Sequence, residues 1–199
     1  MGVACIKVRF LDGHLATPTF DLRTCVNAEG EMWKGKGMEE TVIRLARDDD
    51  LEIIKQIAVE AWKPIYECFQ KTAGNELFAT VFGDWRTTKE EQIAGHYKSH
   101  PETILVTEHK GQVVGFITYN IFEKQKAGVI GNNAVHPKYQ GRGFGTKQYQ
   151  RVLAIFKERG MKFAQVHTGA DEAHVAARTA YEKVGFKPVF YSVLYCQKL

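Results

Sequence analysis

A glycine-rich stretch at residues 139–149, YQGRGFGTKQY, has the residue types that can hold an anion. Gly141, Gly143 and Gly145 alternate with other residues, and a helical pattern follows directly. Glycine lets a ligand approach the backbone closely and accepts positive φ, and the first N–H groups of a helix lack partners within that helix. The partial positive charge of the helix start adds to this. The first chemistry that the sequence predicts is therefore anion binding.

The charge around this loop favours a ligand that carries phosphate. Seven Lys and Arg against one Glu give residues 136–162 a net charge of +6, compared with +4 for the whole chain. Part of that charge solvates the outer face of the helix. Arg142 and Lys147, in or beside the loop, are the better candidates for phosphate contacts. Nucleic acid is a weaker alternative, because no aromatic stacking surface accompanies the basic segment, and we expect no nucleic-acid partner.

Two common nucleotide-binding patterns fail at one position of the loop. Both G-x-x-x-x-G-K-[ST] and G-x-G-x-x-G, started at Gly141, need a glycine where the chain has Thr146. The spacing that is present is Q-x-x-G-x-G, formed by Gln140, Gly143 and Gly145. In isolation, this spacing fits a ligand-free turn between a strand and a helix equally well.

The segments around the loop follow an α/β pattern. Alternating apolar residues predict strands in TVIRLAR, TILVTEH, QVVGFITYNIF, AGVIGNNAV, KFAQVHT and VFYSVLYC, with a tight hairpin at Lys110 and Gly111. Helical spacing predicts helices in residues 51–69, 87–100, 146–160 and 171–185, with Pro64 kinking or ending the first. The expected order is β-α-α-β-β-β-α-β-α-β, an α/β (in some schemes α+β) domain on a mixed sheet.

Length and composition indicate one globular domain with an appendage. The 199 residues are 44% hydrophobic and 25% charged, which is ordinary for a soluble protein. Residues 1–37 alternate loosely and are broken by glycine and proline, so we predict an N-terminal extension outside a domain of residues 38–199. The four scattered cysteines show no metal-ligand spacing, and we expect a cytoplasmic protein with reduced thiols and no metal. The sequence shows no apolar run of the length that predicts a membrane span, and we expect no membrane partner.

Two stretches together resemble the acyl-CoA-binding core of the GNAT superfamily of N-acetyltransferases. The first, NNAVHPKYQGRGFGTK, matches the family signature V-x-P-x-x-[QR]-x-x-G-x-[GA] at Val135, Pro137, Gln140, Gly143 and Gly145. The second, ADEAHVAARTAYEKVGF, follows the family's N-x-x-A-x-x-x-Y helix and G-F turn at Ala177, Tyr181, Gly185 and Phe186. The resemblance covers residues 41–199. It implies a mixed central sheet with splayed central strands and helices on both faces.

The same resemblance implies a ligand and a reaction. The co-substrate would be acetyl-CoA, and an acetyl or short acyl group would pass to a primary amine by direct attack in a ternary complex. The pyrophosphate would lie on the backbone of the glycine loop, and the pantetheine arm and thioester would meet the strand before it. The implied CoA-binding residues are Asn133, Ala134, Val135, Gln140, Gly141, Arg142, Gly143, Phe144, Gly145, Thr146 and His174.

Two residues are predicted to be catalytic by this resemblance. Tyr181 matches the tyrosine that commonly protonates the departing thiolate, and a phenol is a suitable acid for that step. His174 stands where the family has asparagine, and an imidazole can either contact the pantetheine arm or carry a proton. The glutamate base of some members falls on Val129, which cannot accept a proton. Glu123, His167, His174 and a water chain remain open as the base.

The acceptor is not defined by the resemblance. Aromatic residues of the first helices, Trp62, Tyr66, Phe69 and Trp85, are candidates for an acceptor pocket, although core packing better explains Trp62 and Phe69. We expect a small-molecule or peptide amine as acceptor, and a homodimer remains open. The main alternative function is a GNAT-like module that binds acyl-CoA without turnover, as a sensor or an interaction partner.

Overall fold

A computed structural model describes residues 41–198 and shows one five-stranded sheet in that part of the chain. The strands lie in the order β1-β2-β3-β4-β5, and only the last pair, β4 with β5, is parallel. Their bounds are Thr41–Leu45, Ile104–His109, Gln112–Phe122, Ala127–Val135 and Phe163–Val166. The predicted extension at residues 1–37 lies outside the described residues.

Helices cover both faces of this sheet, as the resemblance implies. They are α1 Leu51–Ala73, α2 Asn75–Phe82, α3 Trp85–Ser99, α4 Phe144–Glu158 and α5 Val175–Lys183. Alternate strand residues point to opposite faces. Accordingly, Phe116 packs with α1 and α3 on one face, whereas its neighbour Ile117 packs with α4 and α5 on the other. The predicted mixed α/β fold is therefore confirmed.

The two central strands separate at one end of the sheet. β4 pairs with β5 only from Ala127 to Ile130, and the remaining part of β4, residues 131–135, has no partner in β5. A bulge opposite this point shifts the pairing of β4 with β3 between Ile117 and Tyr119. The predicted splay is thus present, and it opens the sheet where β4 runs into the glycine loop.

Several predicted elements are confirmed with small shifts at their ends. Lys110 and Gly111 form the tight hairpin with φ values of 52° and 74°, which is the geometry that joins two twisted strands. β4 has the predicted bounds. Buried Gln148 ties α4 to the sheet, because its Nε2 donates to Oγ1 of Thr107 at 2.9 Å and to the carbonyl of Ala134 at 3.4 Å. This contact fixes the start of α4 beside the end of β4.

The helical region between β1 and β2 differs from the prediction. Pro64 does not end α1, which continues to Ala73. Aromatic side chains before and after Pro64 pack against the same neighbouring helices, and this packing outweighs the lost backbone bond. α2 was not predicted, and α3 begins at Trp85 rather than at residue 87. The observed order has three helices here instead of two.

The predicted last strand, VFYSVLYC, is wrong. Residues 186–198 have no regular secondary structure and take no part in the sheet. The side chains of its large apolar residues between Val189 and Tyr195 are 72% to 90% exposed. Alternation of apolar residues is a local property, whereas a strand also needs a partner edge for its backbone groups. Residues 189–196 have the alternation of apolar residues but no partner edge.

Neither a membrane-spanning helix nor a metal-ligand cluster is present in residues 41–198. Among the helices of residues 41–198, none is long and apolar enough to cross a bilayer. In the same part of the chain, no group of three or more His, Cys, Asp or Glu side chains is arranged to hold a metal ion.

Candidate active site

The glycine loop connects the free end of β4 to the start of α4. A short 3-10 turn, Pro137–Tyr139, follows β4, and Nε2 of Gln140 donates to the carbonyl of Val135 at 2.9 Å. Gly141 and Gly143 then take positive φ values of 75° and 83°, and Gly143 is the N-cap of α4. No side chain caps this helix. The N–H groups of its first turn are therefore available to an anion.

At Gly145, unlike at Gly141 and Gly143, the backbone conformation does not require glycine. A Cβ atom built there would lie 3.9 Å from the ring of Tyr149 and 4.0 Å from Cγ2 of Val135, which are ordinary contact distances. Its φ is not in the left-handed region. The packing of the protein therefore tolerates a side chain at this position. The missing side chain at Gly145 leaves space open above the first turn of α4, and the packing of the protein does not require that space.

The other residues of the predicted CoA-binding set face different ways. Arg142 is exposed, and its guanidinium lies 5.4 Å from the ring centre of Tyr139 and donates to the carbonyl of Lys138 at 3.3 Å. Phe144 is buried with its ring against His109, and Ala134 is buried beneath α1. These two can contribute backbone groups only. Thr146 is half-buried in the first turn of α4.

Tyr181 lies at the centre of a hydrogen-bonded group on the α4 and α5 face. Nδ2 of Asn133, on the free part of β4, lies 3.2 Å from the Tyr181 hydroxyl, and the Tyr149 hydroxyl donates to Oδ1 of Asn133 at 2.7 Å. The two tyrosine rings are 4.9 Å apart and both are buried. The sequence signal for the role of the Asn133 side chain is weak, because Asn133 is one of two adjacent asparagines, with Asn132, in an otherwise apolar strand.

Burial is the main influence on the pKa of both phenols. It raises the pKa of Tyr181, and hydrogen bonds with Asn133 and Tyr149 offset only part of that rise. Burial likewise raises the pKa of Tyr149. A phenol in this environment keeps its proton at neutral pH. Tyr181 is therefore a protonated phenol held by the Asn133 amide at the splayed end of β4.

His174 forms a close pair with Asp171 at the start of α5. Nδ1 of His174 lies 2.7 Å and 2.9 Å from the two carboxylate oxygens of Asp171, and the N–H of Ala173 donates to Oδ1 at 3.0 Å. Burial raises the pKa of Asp171, but the hydrogen bond and charge of His174 lower it more, so that it lies below its ordinary value. Sequence reasoning missed Asp171, although an acidic residue three positions before His174 is the usual type of helix-capping residue.

The structure separates the candidate bases that the sequence left open. Glu123 lies in the β3–β4 turn, at the far end of β4 from the glycine loop, and pairs with Lys126 at 3.3 Å. Val129 lies in the middle of β4 and offers no proton acceptor. His167 is exposed just beyond β5. Only His174 combines partial burial with a fixed partner, Asp171.

An aromatic cluster fills the space between the first three helices. Tyr66 stacks on Trp85 with ring centres 4.2 Å apart, and it meets Phe69, Phe78 and Phe82 edge-on. Most members thus pack against one another, as expected for a helix interface. Phe69 is the exception, because its ring also lies 6.3 Å from the ring of His174. The cluster therefore reaches the candidate active site through Phe69.

A buried lysine lies on the same side, and sequence reasoning missed it. Lys89 is 6% exposed, and its Nζ lies 4.5 Å from the ring centre of Trp62. Nζ also donates to Oε1 of Gln92 at 2.8 Å and to Oδ1 of Asn132 at 3.2 Å, and Asn132 adjoins Asn133 on β4. Burial lowers the pKa of Lys89 to about 8. In the sequence, TTKEEQ indicates only the start of the helix predicted over residues 87–100.

Comparison with known proteins agrees with this geometry. Residues 62–186 match the acetyltransferase (GNAT) family. An uncharacterised N-acetyltransferase of Archaeoglobus fulgidus is 26% identical over 136 residues, which are 64% of this chain and 81% of that protein. A PaiA N-acetyltransferase of Thermoplasma acidophilum with bound coenzyme A is similar in fold (TM-score 0.56, 20% identity, 74% of this chain, 89% of that one). So is a GNAT family acetyltransferase of Brucella melitensis with acetyl-CoA (TM-score 0.51, 21% identity, 74% and 83%).

Proposed function

The chain belongs to the acetyltransferase (GNAT) family, and we propose that it transfers an acetyl or short acyl group from acyl-CoA to a primary amine. The observation that carries this proposal is the position of Tyr181 and the glycine loop at one end of β4. The loop offers backbone N–H groups to phosphate, and Tyr181 offers a proton near the free part of β4. Two proteins of similar fold hold acetyl-CoA or coenzyme A, and we extend that ligand to this chain.

The residues around the loop fit the parts of coenzyme A. The backbone from Gln140 to Thr146 would hold the pyrophosphate, with Arg142 as an added cation. Residues 133–135 lie on the part of β4 that β5 leaves unpaired. The backbone groups on this unpaired side of β4, apart from the Val135 carbonyl that accepts from Gln140, would pair with the amides of the pantetheine arm as an added strand does. The open space above Gly145 is then the space that the ligand occupies.

The proposed reaction needs two proton transfers. The neutral amine attacks the thioester carbonyl, a C–N bond forms, and the C–S bond breaks. The departing thiolate takes the proton of the Tyr181 hydroxyl, which, like an ordinary phenol, is protonated at neutral pH. The proton lost by the amine passes to a base, and the phenol regains a proton from solvent. Direct attack requires both substrates to be bound together, so positioning contributes much of the rate.

The test measures binding and turnover separately on the full chain. We expect acetyl-CoA to raise the melting temperature, and we expect one or more members of a panel of small-molecule and peptide amines to release free thiol from acetyl-CoA. Absence of a melting shift would contradict the proposal at its first step. A melting shift without thiol release from any amine would instead indicate an acyl-CoA-binding module without catalysis.

A further inference from the structure

We infer that Asp171 is a positioning residue that fixes one tautomer of His174, so that Nε2 of His174 accepts the proton of the attacking amine. The inference rests on the proposed function. It adds the identity of the base and a residue that acts through it. The resemblance leaves the base open, with His174 as one of several candidates, and it does not include Asp171.

The distances define the tautomer. A neutral imidazole carries one N–H, and an ionised carboxylate can only accept hydrogen bonds. Nδ1 of His174 lies within 2.9 Å of both oxygens of Asp171, so Nδ1 carries the proton and donates it to this carboxylate. Nε2 then holds a lone pair. Among residues 41–198, Nε2 has no hydrogen-bond partner, and it is therefore available to a substrate.

The pair is held by contacts from its own loop and from α5. Nη1 of Arg178 donates to the carbonyl of Gly169 at 2.7 Å and to the carbonyl of Asp171 at 2.8 Å, which fixes the loop that carries the carboxylate. The N–H of Ala173 binds the carboxylate itself. A Cβ atom at Gly169 would collide with Oδ2 of Asp171 and with Nδ1 of His174. Glycine at 169 therefore gives the pair its space.

The pair also lies on the correct side of α5. His174 precedes α5 by one residue, and Tyr181 comes seven residues after His174, two helical turns along the same face. Their Cα atoms are roughly 10 Å apart at 1.5 Å per residue. In the proposed arrangement, the amine nitrogen, the carbonyl carbon and the sulfur atom would lie in line between the two side chains. Phe69, beside His174, brings the aromatic cluster to the amine end of this line.

The proton balance closes with these groups. As the C–N bond forms, the amine proton moves to Nε2 and gives an imidazolium that the Asp171 carboxylate stabilises. The C–S bond breaks, and the thiolate takes the proton of Tyr181. After product release, the imidazolium loses its proton to solvent and the phenolate takes one from solvent. No other reactant is required.

The test is the variant Asp171→Asn, compared with Glu172→Gln. Both remove one carboxylate from the same turn, but Glu172 is exposed and does not contact His174. The asparagine amide can donate to Nδ1, which moves the imidazole proton to Nε2. We expect kcat to fall roughly 10²-fold in Asp171→Asn, with little change in the KM for acetyl-CoA or in its melting shift. Nitrogen NMR of the imidazole should show the proton on Nδ1 in the unchanged protein and on Nε2 in this variant.

A second variant shows whether Asp171 acts through His174. His174→Gln should lose at least as much kcat, and adding Asp171→Asn to it should cost nothing further. Equal losses in Asp171→Asn and Glu172→Gln, an unchanged tautomer, or additive losses in the double variant would each overturn the inference. If the unchanged protein binds acetyl-CoA but acylates no amine, the proposed function itself fails, and the proton-acceptor role fails with it.

Discussion

The two faces of the sheet present different kinds of groups. On the α4 and α5 face, the glycine loop offers backbone groups, and the amide of Asn133 satisfies two buried phenols. On the α1 to α3 face, aromatic rings pack together, and the buried charge of Lys89 has only neutral hydrogen-bond partners among the described residues. Backbone groups recognise a ligand common to many proteins, whereas side chains can differ from chain to chain. We therefore assign the acyl donor to the first face and the acceptor to the second.

Gly143→Glu is expected to have the largest effect, and it acts on the donor face alone. The residue has a φ of 83°, and a side chain there meets nothing within 4 Å, so the new carboxylate would project into the proposed phosphate site. We expect the melting shift with acetyl-CoA to be lost, which corresponds to a Kd at least ~100-fold weaker. Measurement of melting temperature against acetyl-CoA concentration tests this.

The matched control is Gly160→Glu, just beyond the other end of α4. Gly160 also has a positive φ, 70°, and space for a side chain, so both variants carry a similar backbone strain. The control should melt earlier but keep its full response to acetyl-CoA. If both variants respond alike, the loop at Gly143 is not the phosphate site.

Tyr181→Phe is expected to have the second-largest effect, and it tests the proposed acid, which acts between the bound donor and the acceptor. The variant removes the proposed acid but keeps the ring in the core, so kcat should fall roughly 10²-fold while acetyl-CoA binding is retained. Thiol release under saturating substrate measures this. Tyr149→Phe also removes a buried phenol bonded to Asn133, and it should lower kcat by less than about tenfold. Similar losses in the two variants would show that the hydroxyls support Asn133 and that neither is the acid.

The sequence was informative wherever a local pattern is sufficient. The hairpin at Lys110 and Gly111, the glycine loop and the bounds of β4 follow from turn residues and alternation over a few positions. Tyr181 was proposed from the family resemblance, because it stands at the tyrosine position of the A-x-x-x-Y pattern. These features are the ones that build the donor face, which explains why that face was the easier one to predict.

The remaining features depend on which elements meet in space. Lys89 and Asp171 look like surface residues in the sequence, and only packing buries one and brings the other against a histidine. α1 continues through Pro64 because neighbouring helices hold both halves, and residues 189–196 form no strand because no edge pairs with them. Long-range contacts decide all four cases, and two of them, Lys89 and Asp171, concern the acceptor side and the proposed base.

Lys89→Met is expected to have the smallest effect on the proposed reaction, and its measurable effect is on stability, where it tests the buried charge of the acceptor face. The pKa of Lys89 is lowered by burial to about 8, from 10.5 in an unfolded chain. Between these values the unfolded chain binds more protons than the folded protein, so the free energy of unfolding rises with pH across this window. Below pH 8 both states are charged and burial costs the folded protein roughly 3 kcal/mol. Methionine has a similar length and no charge, so this pH dependence should disappear.

Urea unfolding at several pH values between 7 and 10.5 measures the effect as a difference between the variant and the unchanged protein, so that other titrating groups cancel. The advantage of Lys89→Met should decrease by roughly 3 kcal/mol across the window, although lost contacts with Gln92 and Asn132 lower its starting value. Lys63→Met, which removes an exposed lysine from α1, should run parallel to the unchanged protein. Parallel curves for Lys89→Met would mean that Lys89 is not charged and buried as described. A converging pair would establish that the chain keeps a destabilising cation next to Asn132.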